Sequence, residues 1–200
     1  MVMTFEVDGC LDVTVKTIFI PAICLMFMSG CASMSKSECA SANWESRGAL
    51  DGQNGSPLSL LSDHTSACAK IGVTPNAGLY SKGHANGVKL YCTPSSGLAK
   101  GRMNAEYNDV CPVGLEAPFL SSFVDGLELN LFKVEQEKAV AESRLYRLRL
   151  EQSRYDDPIP EHLLDDLDNE EDTVARYSSQ ELRLKLRISE MRLKIRTVSP

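Results

Sequence analysis

Apolar positions change their rhythm twice along this chain. They run unbroken from Ile18 to Met28, thin out through residues 31–118, then recur every third or fourth residue to the C-terminal end. In the last part Leu127, Leu131, Val134, Lys138, Ala141, Leu145, Leu148, Gln152 and Tyr155 keep a 4-3 spacing. Leu163, Leu167, Glu170, Val174, Tyr177, Glu181, Leu184, Ile188, Met191, Ile195 and Val198 do the same. Such spacing lines one face of a helix and predicts a coiled-coil seam, weakened at Lys138, Gln152, Glu170 and Glu181. Two prolines in Asp156-Asp157-Pro158-Ile159-Pro160 cannot continue a helix. Residues 119–198 therefore read as a long antiparallel helical hairpin with its turn near 156–160. Flanking charge agrees with the fold-back: Arg144, Arg147, Arg149 and Arg154 precede the turn, and Asp165, Asp166, Asp168, Glu170, Glu171 and Asp172 follow it. One stretch conflicts. Leu182 to Ile188 and Met191 to Ile195 alternate with Arg and Lys, a strand-like period of two. Helix is still expected, because these residues are good helix formers and few are β-branched.

Residues 31–118 are rich in Gly, Ser, Ala and Asn and carry seven basic and seven acidic residues. An aromatic followed by glycines at helical spacing recurs: Trp44, Gly48, Gly52, then Tyr80, Gly83, Gly87, Tyr91, and beyond Pro118 Phe119, Phe123, Gly126. Glycine costs roughly 1 kcal/mol inside a helix, so a stripe of it implies close approach of another backbone. Turn-rich segments near residues 53–57, 74–78 and 93–97 separate short helices. The expected architecture is all-α: a small disulfide-stapled helical domain over 31–118, a composition boundary near Pro118, then the hairpin.

The apolar run of eleven residues is too short to span a bilayer, which needs about 20, but suits a signal-peptide core. It ends in Met28-Ser29-Gly30-Cys31, which looks like a bacterial lipobox. Residues 1–30 are then a lipoprotein signal peptide and Cys31 the lipidated residue. Ala32 follows rather than Asp, which points to the outer membrane of a Gram-negative bacterium, facing the periplasm. Glu6, Asp8 and Asp12 are unusual in a leader that should begin basic. Translation from Val15 would give an ordinary one, so residues 1–14 read as an upstream mis-start.

The net charge is −6, and removing a leader with one lysine and three acids leaves −4. That gives no reason to expect nucleic-acid binding. Of seven cysteines, Cys10 and Cys24 leave with the leader and Cys31 takes lipid. Cys39, Cys68, Cys92 and Cys111 remain as disulfide candidates, and their three possible pairings stay open. Separations of 29, 24 and 19 residues do not suit a zinc site, which brings cysteines in close pairs.

Taken together these motifs resemble a family of uncharacterised proteobacterial lipoproteins, domain of unknown function number 2799. The matching stretches are Cys39-Ala-Ser-Ala-Asn-Trp44; Gly48, Asp51, Gly52, Gly55; His64, Cys68, Gly72-Val73, Pro75; Tyr80, Gly83, Gly87, Tyr91-Cys92; and Gly97, Gly101, Tyr107, Cys111-Pro112. They cover roughly residues 31–155. Asn104 stands where the family pattern implies another glycine. The resemblance implies a location and a fold but no activity.

Candidate chemistry is sparse. His64 reads as a surface or packing residue behind a helix start at Ser62-Asp63, His84 as lining a helix contact, and His162 as part of the charged hairpin. Asp51-Gly52, Asp125-Gly126 and Asn86-Gly87 form a recurring pair, read as local side-chain-to-backbone bonding beside glycine rather than as a converging polar site. The acids of 165–172 lack a calcium-loop pattern and read as a solvated face. No nucleophile-elbow, zinc or phosphate-loop motif occurs, so no cofactor, metal or catalytic residue is expected. The expected function is a membrane-anchored binding or structural module, its hairpin meeting a protein partner or a second copy. The alternative is an envelope enzyme or small-ligand protein with a cleft around Asp51, His64, His84 and Tyr91.

Overall fold

A computed structural model describes residues 33–156 and 158–198. The leader and Cys31 lie outside the described residues. Among the described residues seven helices follow in order: α1 (Lys36–Ser41), α2 (Trp44–Gln53), α3 (Leu60–Ala69), α4 (Ala77–Tyr91), α5 (Pro94–Arg102), α6 (Glu116–Gln152) and α7 (Glu161–Val198). The starts of four are written in capping residues. Ser35 and Glu38 form a reciprocal capping box on α1. Asn43, Asn76 and Thr93 each accept a backbone N–H three residues on, at Ser46, Leu79 and Ser96.

Glycine decides how the short helices pair. α2 packs on α4, and α5 on the first third of α6. A Cβ at Gly48 would sit 2.0 Å from the Tyr80 carbonyl oxygen, and one at Gly83 would sit 1.9 Å from that of Glu45. Gly52 and Gly87 extend the contact one turn on, against His84 and Ala49. In the second pair Gly97 and Gly101 meet the carbonyls of Phe119 and Phe123, and Gly126 meets that of Leu98. Residue numbers rise together on both sides of each contact, so both pairs are parallel. Cα–H groups facing carbonyls across such contacts contribute perhaps 0.5–1 kcal/mol each, comparable to the glycine cost.

Parallel neighbours cannot be joined by a tight turn. Each pair needs a return segment, and each return is stapled. Cys68, at the end of α3 in the first return, bonds Cys39 ahead of α2. Cys111, in the second return, bonds Cys92 ahead of α5. Both returns then follow one pattern. A proline comes seven residues after the cysteine (Pro75, Pro118), an aromatic twelve after (Tyr80, Phe123) and a packing glycine fifteen after (Gly83, Gly126). The chain thus builds the same stapled, glycine-packed unit twice.

The core of the second unit continues into the hairpin. Val88, Tyr91, Cys92, Phe119 and Phe123 form one buried cluster with Leu184, Ile188 and Met191 of α7. Pro118 lies in the first turn of α6. The composition change there falls at the start of α6, a helix that packs in both halves. Trp44 also differs from expectation: it packs beside Met34 and the Cys39–Cys68 bridge rather than flanking the α2–α4 contact.

α6 and α7 run about 55 Å each at 1.5 Å per residue. Every position of the two 4-3 series is buried or half-buried except Tyr155. Two of its polar members, Lys138 and Glu181, meet across the seam at 3.0 Å. The alternating stretch is helical, with Leu184, Ile188 and Met191 inward and Leu182, Leu186 and Leu193 outward. The charge blocks beside the turn touch at Arg149–Glu171, 2.9 Å. Among the described residues, Arg144, Arg147 and Arg154 make no ion pair. No described helix is long and apolar enough to cross a membrane.

Candidate functional site

A buried polar cluster sits where α2, α3 and α4 converge. Asp51 is buried on α2, placed inward because Gly48 and Gly52 on the same stretch bring α4 close. Its Oδ2 accepts from His64 Nε2 at 2.9 Å, from the Tyr80 hydroxyl at 2.9 Å and from Arg47 Nε at 3.2 Å. With Nε2 protonated, His64 Nδ1 accepts from the Ser33 hydroxyl at 2.9 Å. His64 and Tyr80 are wholly buried. Burial first, then the bond to Asp51, raises the Tyr80 phenol above the usual tyrosine range. The local reading of Asp51 beside Gly52 is therefore corrected: its carboxylate binds three side chains from three helices. Asp125 and Asn86 are exposed and take no part. His64 is likewise interior, in a helix that starts at Leu60 rather than at Ser62-Asp63.

Ser33, His64 and Asp51 have the membership of a hydrolytic triad but reversed ring connections. Such triads join serine to Nε2 and carboxylate to Nδ1, whereas here Asp51 holds Nε2. Tyr80 and Arg47 add two more donors to the same carboxylate oxygen. The arrangement suits fixing groups in place. Sequence reasoning reached Asp51, His64 and Tyr80 by separate routes and missed Arg47 and Ser33. The i, i+4 spacing of Arg47 and Asp51 was the available signal.

The four residues of the alternative cleft do not line one cavity. His84 stacks on Tyr80 at 6.1 Å, but its Nε2 bonds the Ser56 carbonyl at 2.8 Å. It borders a shallow groove of about 430 Å³ with Pro57, Leu58, Val88, Asp109 and Pro112. Tyr91 lies in the other core, 5.0 Å from the Phe119 ring, its phenol raised by burial. Among the described residues no group of His, Cys, Asp or Glu is placed to hold a metal ion.

The second return segment is gripped by α7. Arg187 donates to the Asn104 side chain at 2.9 Å and to the Ala105 carbonyl, and lies over the Phe123 ring. Lys194 pairs with Asp109 and sits 5.1 Å from the Tyr107 ring centre. The Tyr107 hydroxyl donates to Glu116 and accepts from the Cys111 N–H. Asn104 has φ +49°, the left-handed region that favours glycine and tolerates Asn. That backbone, rather than close packing, accounts for glycine as the expected residue there, and the Asn side chain adds the bond to Arg187.

These features define a class: two stapled, glycine-packed parallel helix pairs carrying a helical hairpin. Residues 43–128 match the model of the family described as Protein of unknown function (DUF2799). The match is narrower than the stretch resembling it in sequence. It begins at the cap of α2 and ends just past Gly126, where α6 leaves α5. No curated protein and no solved structure matches the chain.

Proposed function

We propose that the chain is a lipid-anchored outer-membrane lipoprotein that faces the periplasm and works by binding through its helical surfaces, with the hairpin as contact arm. The lipobox ending at Cys31 supports the anchor. Two disulfides suit an oxidising compartment. The observation that carries the binding role is a second apolar row on each hairpin helix, turned away from the seam. It comprises Leu129, Phe132, Tyr146 and Leu150 on α6 and Leu182, Leu186 and Leu193 on α7, each 45–64% exposed. A lone hairpin needs only its inner row, whereas helices that meet further partners carry a wider apolar face. The closed hydrogen bonding around Asp51 supports a scaffold role for that cluster over a substrate cleft.

The test is in-cell photo-crosslinking from Leu129 and Leu182, with sedimentation of the purified protein to separate a second copy from another protein. Leu186→Asp and Phe132→Asp should change folding stability by less than about 0.5 kcal/mol, as exposed substitutions do. They should nevertheless abolish the cross-linked product. Products that survive both substitutions would remove the hairpin from the binding role.

A further inference from the structure

We propose that the end of the molecule formed by Ser33, α1 and the C-terminal end of α3 rests directly on lipid headgroups, so that the anchor holds the module flush with the membrane. This rests on the anchored reading of Cys31. Only Ala32 lies between Cys31 and Ser33, a reach of at most about 7 Å when fully extended.

Ser33, Met34 and Ser35 are each held in place. The Ser33 hydroxyl is bonded to His64, and His64 to Asp51. Met34 is buried against Cys39 and Cys68. Ser35 caps α1 through its box with Glu38. A pull on the anchor therefore meets a buried hydrogen-bond chain, a core side chain and a disulfide within a few residues, with no slack between.

The exposed groups nearest this attachment are Ser35, Lys36 and Ser37, and Lys70 lies two residues beyond the bridging Cys68. Lys36 and Lys70 can meet lipid phosphates. Of the acids on α1 and α3, Glu38 is engaged by the Ser35 cap and lies 3.7 Å from Arg47, while Asp63 is exposed in the first turn of α3. Charge is thus balanced, and the short tether, not attraction, sets the contact. By contrast the hairpin turn lies about 37 Å along α6 from Leu127, which faces Gly101 of α5, at 1.5 Å per residue.

The full-length lipoprotein, purified from membranes and reconstituted in phosphatidylethanolamine–phosphatidylglycerol vesicles, carries a benzophenone amino acid in place of Lys36, Lys70 or Glu161. Intact-mass measurement first reports the lipid on Cys31. Lipid adducts are expected from Lys36 and Lys70 and not from Glu161. Inserting about twelve Gly/Ser residues between Ala32 and Ser33 adds roughly 20 Å of slack and should lower the Lys36 and Lys70 adducts severalfold with lipidation intact. A lipidated protein with no adduct at Lys36 and Lys70, or with equal adducts at Glu161, overturns the flush placement alone. An unmodified Cys31 overturns the anchored reading and this inference with it.

Discussion

A missing methyl group organises the first half of the molecule. At Gly83 a Cβ would fall 1.9 Å from a carbonyl oxygen of rigid helical backbone, which cannot yield without opening the pair. Gly83→Ala should therefore cost about 3 kcal/mol as overpacking, measured by urea unfolding. Gly78→Ala, whose Cβ would find only ordinary contact, should be neutral or stabilising by about 0.5 kcal/mol. An equal gain at both positions would mean that helix propensity, not packing, is at stake. Asp51 offers the polar counterpart. Asp51→Ala would strand the His64 ring and the Tyr80 hydroxyl in the interior and should cost about 3 kcal/mol. Tyrosine ionisation reports the Asp51 cluster and the main core together. Tyr80, Tyr91 and Tyr107 all have folded values raised above the unfolded one, so the fold favours their protonated form. That stability is fully present below the unfolded tyrosine value near pH 10 and is lost as pH rises beyond it. Ultraviolet titration should show three of the six tyrosines ionising late, together with unfolding. The glycine stripes were legible from spacing alone. Asp51 was not, because the three groups it binds come from positions 4, 13 and 29 residues away, and local sequence offers a nearer explanation.

At the scale of elements, the hairpin was readable because its rule is one-dimensional: a 4-3 repeat, broken by two prolines, defines both helices and their turn. The polar seam positions looked like defects in one dimension. In the fold Lys138 and Glu181 are partners, with the Lys138 ammonium raised by that bond and the Glu181 carboxyl lowered first by Lys185 and then by Lys138. Paired polar positions in a seam set register. Lys138→Glu should lower the midpoint of thermal unfolding. The swap Lys138→Glu with Glu181→Lys should recover part of that loss, less than all because Lys185 then faces a like charge. No recovery would show that the pair does not set the alignment of α6 on α7.

For the whole molecule, the two disulfides carry unequal burdens. Cys39–Cys68 holds a small core with few other contacts between α1 and α3, whereas Cys92–Cys111 lies in the main core with α6 and α7. Each bridge should contribute about 3–4 kcal/mol by restricting the unfolded chain. Partial reduction should expose the His64 region to hydrogen exchange first, while the α6–α7 hairpin keeps its protection. Simultaneous loss would show that the module and hairpin unfold as one. What the sequence determined by itself is whatever acts over a few residues: the hairpin through its repeat and the need for close packing through glycine stripes. What only the tertiary structure decided is which glycine stripe meets which, how four cysteines pair, and that α6 serves both halves. Those outcomes depend on contacts between residues 19 to more than 80 positions apart, whose geometry no local pattern specifies.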